Sequence, residues 1–151
     1  MTSQRKGYRN PIPTTDLIIE YHHGKKAGIV LSERKNQPYG IALPGGFHEL
    51  NLSAEENAIK EAREETGLDV VIEEPERPLC YHTSPTRDPR YHIISATFIA
   101  KGKGILKAGD DAAQATLYSI DEVVDLLEHG TWAFHDHTRA LRCYLRHRGY
   151  Q

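Results

Sequence analysis

Residues 53–68, SAEENAIKEAREETGL, constrain this chain more than any other stretch. Ala54, Ala58 and Ala62 recur every four residues, with Ile59 on an adjoining line, which is the spacing of a helix that buries one narrow face. Ser53 with Glu56 three residues later forms a capping-box pattern. Gly67 is a C-terminal stop, and Leu68 is placed to fold back on the last turn. On this helix Glu61, Glu64 and Glu65 fall at i, i+3 and i+4, so three carboxylates project from one side. In open water such repulsion costs roughly 0.2–0.5 kcal/mol per pair. Partly enclosed at about 6 Å, with an effective dielectric near 20, it rises to about 3 kcal/mol. Two readings stay open: a solvated acidic face, or a pocket wall that needs a cation. Hard divalent ions such as Mg²⁺ take oxygen ligands and bridge carboxylates to phosphates. LPGGF (43–47), a tight glycine turn just before the helix, lets backbone approach a ligand closely and favours the second reading.

The rest of the chain supplies a sheet and two further helices. DLIIEY (16–21) and AGIVLSER (27–34) read as paired strands joined by HHGKK, and IALPGGF (41–47) is short and apolar. LDVVIEE (68–74), LCYHTS (79–84), YHIISATFIAKG (91–102) and ATLYSI (115–120) read as strands, with TRDPR (86–90) and KAGDDAAQ (107–114) as loops. IDEVVDLLEHG (120–130) is a short amphipathic helix ending at Gly130. HDHTRALRCYLRHR (135–148) is another, with His137, Leu141, Tyr144 and Leu145 on its inner face and Asp136 as its cap. Pro11 and Pro13 mark residues 1–14 as a lead-in. Residues 15–151 then form one domain, an α/β (α+β) architecture with a mixed sheet covered by helices on both faces.

Composition removes several function classes. The 151 residues suit one domain. Nineteen Lys+Arg against twenty-one Asp+Glu leave a net charge of −2, so no basic field exists to drive nucleic-acid binding. A hydrophobic share of 38% excludes disorder as the default. No apolar run approaches the ~20 residues of a membrane span. The polar N-terminus lacks the apolar stretch of a secretory signal, which points to the cytoplasm. Cys80 and Cys143 have no metal-ligand spacing and read as reduced thiols, with a single bridge left open.

Residues 45–68, GGFHELNLSAEENAIKEAREETGL, resemble the Nudix box: Gly, five residues, Glu, seven residues, then Arg-Glu-aliphatic-any-Glu-Glu-any-Gly-aliphatic. Gly46 opens it, and Glu61, Ala62, Glu64, Glu65, Gly67 and Leu68 fall at the required offsets. Two positions depart. Leu52 stands where the box has a glutamate, and Lys60 stands where it has an arginine that helps orient the neighbouring carboxylates. Lysine keeps the charge and loses the bidentate fork.

The resemblance implies an α/β/α sandwich carrying this box helix. It also implies metal-dependent hydrolysis of a diphosphate linking a nucleoside to another group. The implied metal set is Glu61, Glu64, Glu65 and a backbone carbonyl at Gly45 or Gly46, with Mg²⁺ as the ion and Mn²⁺ as a substitute. SPTRDPRYHIISATFIAKG (84–102) with KAGDDA (107–112) looks like the small ADP-ribose pyrophosphatases, with Tyr91 where they carry glycine. That subgroup implies cleavage of ADP-ribose to AMP and ribose 5-phosphate, and a homodimer. Arg87 and Arg90 are candidate phosphate or ribose contacts, since guanidinium forks suit phosphate oxygens, or else surface loop arginines. Arg34 is a further phosphate contact or a solvated strand end. Asp110 and Asp111 serve as general base or metal ligand, or simply as turn residues. Trp132 and Phe134 read as core or interface before base-stacking platforms, and His48, His82 and His92 lack a spacing that would fix them at the site. The alternatives are a non-catalytic nucleotide-sugar sensor, which Leu52 would permit, and a nucleoside triphosphate pyrophosphohydrolase on the same fold.

Overall fold

The sheet is organised around β1 (Ile12–His23), whose residues Thr15 to Ile19 are all buried. A computed structural model describes residues 9–107 and 114–151. β1 runs parallel to β7 (Ile93–Lys103) from Ile12 opposite Ile93 to Glu20 opposite Lys101. It runs antiparallel to β2 (Lys26–Arg34) and to the glycine strand β4 (Gly45–Phe47). β2 also carries β3 (Gly40–Ala42) and β8 (Ala115–Tyr118), while β7 carries β5 (Asp69–Ile72) and β6 (Cys80–His82). The sheet is therefore mixed, as expected.

Alternation along β1 separates two cores, because successive side chains leave opposite faces of a strand. Leu17, Ile19 and Tyr21 pack with Phe98 against Ala58 and Ala62 of α1 (Ala54–Thr66). Ile18 packs on the other face with Leu31 and Ile99, against α2 (Ile120–His129) and α3 (His135–His147). Helices thus cover both faces, and α1 lies alone on one of them. The local signals for α1 hold: Ser53 and Glu56 form the reciprocal capping box, and Gly67 closes the helix at φ 75°, donating its N–H to Arg63 O at 3.0 Å.

Three local readings need correction. β1 begins at Ile12, inside the expected lead-in of residues 1–14. Pro13 joins the sheet through its carbonyl, which accepts from His48 N–H at 2.9 Å, while Ile12 N–H donates to His92 O at 3.0 Å. The expected turn at 43–47 includes a strand, because Gly45 and Gly46 pair with Asp16 and Thr15. Asp136 does not cap α3: the N-cap is Phe134, without a side-chain bond, and Asp136 is turned inward. Cys80 and Cys143 are free thiols. Among the described residues no helix is long and apolar enough to cross a membrane.

Candidate active site

β4 lies against α1, and the absence of a side chain at Gly46 is what permits it. A Cβ on Gly46 would sit 2.5 Å from the Glu61 carboxyl carbon, and one on Gly45 would sit 2.3 Å from Asp16 Oδ1. Gly45 N–H donates to Glu65 Oε2 at 3.2 Å. Burial pushes the Glu65 carboxyl up to about 8; Glu61 and Asp16 add to the rise, and the Gly45 bond opposes it. Burial also raises Glu61, to about 6, helped by the charge of Glu64. Both shifts have the cause expected of like charges drawn out of water. Glu64 is half exposed and is held by Lys60, whose ammonium also lies 3.1 Å from Glu49 Oε1.

Among the described residues no three His, Cys, Asp or Glu side chains are gathered closely enough to hold a metal ion between them. Glu65 faces a backbone N–H and Glu64 faces Lys60, so the box carboxylates share a helix face without converging. The donor chemistry nonetheless fits a hard divalent cation. Glu61 and Glu65 carry ionised forms penalised by burial and mutual repulsion, a penalty that a cation beside them removes.

Beside this wall is a cleft of about 220 Å³ that Glu65, Gly45 and Gly46 share with Arg34, Arg87 and Arg90. Four segments distant in sequence therefore meet at the arginines that the sequence marked as candidate phosphate contacts. Asp110 and Asp111 lie outside the described residues. Arg87 is not a surface arginine: its side chain is 5% exposed, and Nε donates to Asp136 Oδ2 at 2.8 Å. Arg90 forks onto Asp88, with Nη2 2.8 Å from Oδ2. Arg34 donates through Nε to Pro38 O at 2.8 Å. Burial lowers its pKa and the neighbouring Arg90 lowers it further, which is the excess positive charge an anion would neutralise.

Phe134 and His137 are buried as read from the sequence, but the platform that Phe134 makes and the place of Asp16 escaped that reading. Phe134 is buried in the cleft, and Arg34, Arg87 and Arg90 place their guanidinium carbons 5.3, 5.7 and 5.8 Å from its ring centre. Such cation–π contacts hold the planar forks in fixed orientations. Asp16 lines the cleft beside Gly45, with His137 Nε2 3.3 Å from its Oδ2. Burial favours protonation of Asp16, but His137 and a hydrogen bond from Ser95 outweigh it and hold the carboxyl below its ordinary value. His137 Nδ1 accepts from Leu43 N–H at 3.0 Å, tying α3 to the segment that leads into β4. No local pattern marks Phe134 or Asp16; the parallel pairing of β1 with β7 and the inward face of α3 are the signals that would have found them. His48 bonds Leu52 O, His92 bonds Thr83 O and His82 lies beside Asp136; none of the three lines the cleft.

Comparison with known proteins gives concordant results. The family model described as NUDIX domain matches residues 12–140. An ADP-ribose pyrophosphatase of Methanocaldococcus jannaschii is 40% identical over 142 residues, covering 92% of this chain and 76% of that protein. A mutT/nudix family protein of Listeria innocua superposes with a TM-score of 0.69 at 31% identity, covering 94% of this chain and 97% of that one. The NUDIX domain of Shewanella oneidensis NrtR, solved in complex with ADP ribose, superposes at 0.76 over 98% of this chain and 99% of its own, with 20% identity. That last likeness is one of fold.

Proposed function

The chain belongs to the Nudix family and is a Nudix hydrolase; from that premise we propose that it cleaves ADP-ribose to AMP and ribose 5-phosphate. The observation that carries this reading is the two-signed cleft, where the half-buried Glu65 of α1 and the buried Asp16 of β1 share one lining with three guanidiniums gathered around Phe134. A diphosphate bridging two sugars is an anion suited to a cleft of both signs. Water attacks one phosphorus, the bridging P–O bond breaks, and the two monophosphates leave with the proton released to a base.

Glu61, Glu64, Glu65 and the Gly45 carbonyl would hold Mg²⁺, with Mn²⁺ as a substitute. A bound divalent ion supplies neutralisation of the diphosphate and acidifies a water molecule. The protein's own part is positional. Gly45 N–H fixes the Glu65 carboxylate, and Phe134 with Asp136 and Asp88 fixes the arginine forks that take the phosphate oxygens. Asp110 or Asp111 is the proposed base or further metal ligand. We further take residues 15–151, with β1 extending them to Ile12, as one catalytic domain. The protein is proposed to work as a homodimer in the cytoplasm, on a small-molecule nucleotide and without nucleic acid or membrane as partner.

A second reading, a non-catalytic nucleotide-sugar sensor, is favoured by one observation, the engagement of Glu64 by Lys60. Incubation with Mg²⁺ and a panel of ADP-ribose, sugar nucleotides and nucleoside triphosphates separates them. Release of AMP and ribose 5-phosphate from ADP-ribose is expected. Tight ADP-ribose binding without turnover in either Mg²⁺ or Mn²⁺ would establish the sensor, and pyrophosphate release from triphosphates would move the protein to another substrate class.

A further inference from the structure

Among the described residues Lys60 is the one cation ion-paired with a box carboxylate of α1, and it is shared. Its ammonium contacts Glu64, one turn along the helix, and Glu49 Oε1 at 3.1 Å. Glu49 is eleven residues away, a separation that no helical spacing predicts, yet its backbone is fixed at both ends. Its N–H donates to Asn57 Oδ1 at 3.0 Å, and its carbonyl accepts from Leu52 N–H at 3.4 Å. Asn57 is fully buried and anchors that contact to β1 by donating to Thr15 Oγ1 at 2.9 Å. Leu52 offers Lys60 no charge, so the carboxylate that draws the ammonium from outside the helix comes from position 49.

We propose that Glu49 controls the availability of Glu64 to a divalent cation by drawing Lys60 away from it. An ammonium and a metal ion compete for the same carboxylate oxygens. With Glu49 in place Lys60 divides its donors between two carboxylates; without it, Lys60 falls wholly to Glu64 as an i,i+4 partner. Glu49 is thus a positioning residue that acts through Lys60, and it supplies from the loop what position 52 lacks. The inference rests on the reading of Glu64 as a metal-holding carboxylate and not on the identity of the substrate.

The test is Mn²⁺ binding to the substrate-free protein, read from the electron paramagnetic resonance of the free ion at low ionic strength. It compares wild type, Glu49→Gln, Lys60→Met and the double variant. Both side chains are partly exposed, and exposed pairs shift equilibria only a few-fold. Glu49→Gln is expected to weaken Mn²⁺ binding about threefold, and Lys60→Met to tighten it by a similar factor. In the Lys60→Met background the Glu49 substitution is expected to change the affinity by less than about 1.5-fold, the coupling that marks action through the lysine. An equal penalty in both backgrounds would overturn the proposal, leaving Glu49 as a bare negative charge or a direct ligand. A flat response in both would overturn it as well. Wild type that binds no Mn²⁺ would overturn this proposal together with the metal assignment, whereas loss of ADP-ribose turnover alone would leave it standing.

Discussion

On the carboxylate side, where Glu65 and β4 line the cleft, α1 crowds groups that repel one another, and its ion pair just outside the cleft is open to water, with Lys60 36% and Glu64 53% exposed. On the arginine wall each guanidinium already has its protein partner, and the Arg87–Asp136 pair is almost sealed, at 5% and 6%. The acids move in opposite directions: Glu61 and Glu65 are pushed up, while Asp88 is held down by Arg90 against its own burial. One wall thus stores an electrostatic deficit for a ligand to relieve. The other is a frame whose forks are already oriented by protein partners, with excess positive charge at Arg34 left for an anion. Loading a metal should therefore change the first wall and leave the second as it is.

The largest test of this contrast is on the frame. Arg87→Met leaves the buried Asp136 with His82, at 3.5 Å, as its one remaining ion-pair partner among the described residues, and should lower stability to urea by about 3–5 kcal/mol, the cost of stranding a buried charge. A loss under about 1 kcal/mol would mean that the frame is as loose as the carboxylate wall. Next, Glu65→Gln keeps the size of the side chain and an acceptor for Gly45 N–H, but removes the charge. kcat with ADP-ribose should fall at least about 100-fold, or 2.7 kcal/mol, with little change in KM and no fall in the unfolding midpoint of the metal-free protein. A drop smaller than about tenfold would remove Glu65 from the groups that turnover requires.

A smaller effect tests the acid of the frame by pH. The Asp88 pKa is depressed in the fold below 3.8, so the stabilisation from Arg90 is complete above that value and disappears as the pH falls through the folded pKa. The gap between wild type and Arg90→Met in urea unfolding should stay near 1 kcal/mol around neutrality and close in stronger acid. A gap independent of pH would assign the contribution of Arg90 to its contacts with Phe47 and Phe134 instead. Smallest of all is Leu52→Glu. With Glu49 already on Lys60, metal affinity should change less than about twofold. A tenfold gain would make the missing carboxylate, and not the shared lysine, the limit on the open wall.

How legible each wall was in the sequence follows from how far its contacts reach. Helix α1 was readable almost to the residue, because the capping box, the four-residue alanine spacing and the Gly67 stop are all local. The same locality misled at Pro13, where a missing N–H suggested no strand although the carbonyl suffices. It misled again at Asp136, which has a cap's position in sequence but bonds Arg87, 49 residues away. Arg34, Arg87 and Arg90 were singled out as candidates by residue type, since guanidinium suits phosphate, yet their shared platform at Phe134 depends on three segments meeting. No pattern within any one of those segments encodes that meeting.

The parallel pairing of β1 with β7 carries a consequence for the order in which this protein comes into being. Asp16 and Thr15 hold the glycine strand, yet β1 is locked beside β7 by contacts that span about eighty residues, and His137 closes the same corner from still further on. Pairings of such high sequence separation form slowly, because a long loop must close before it is rewarded. A nascent chain emerging from the ribosome would have its acidic helix exposed well before the partner strand and the last helix exist. The cleft is therefore completed late in synthesis, and a chain cut short before Phe134 would carry the whole acidic motif without the ring and the imidazole that close the pocket.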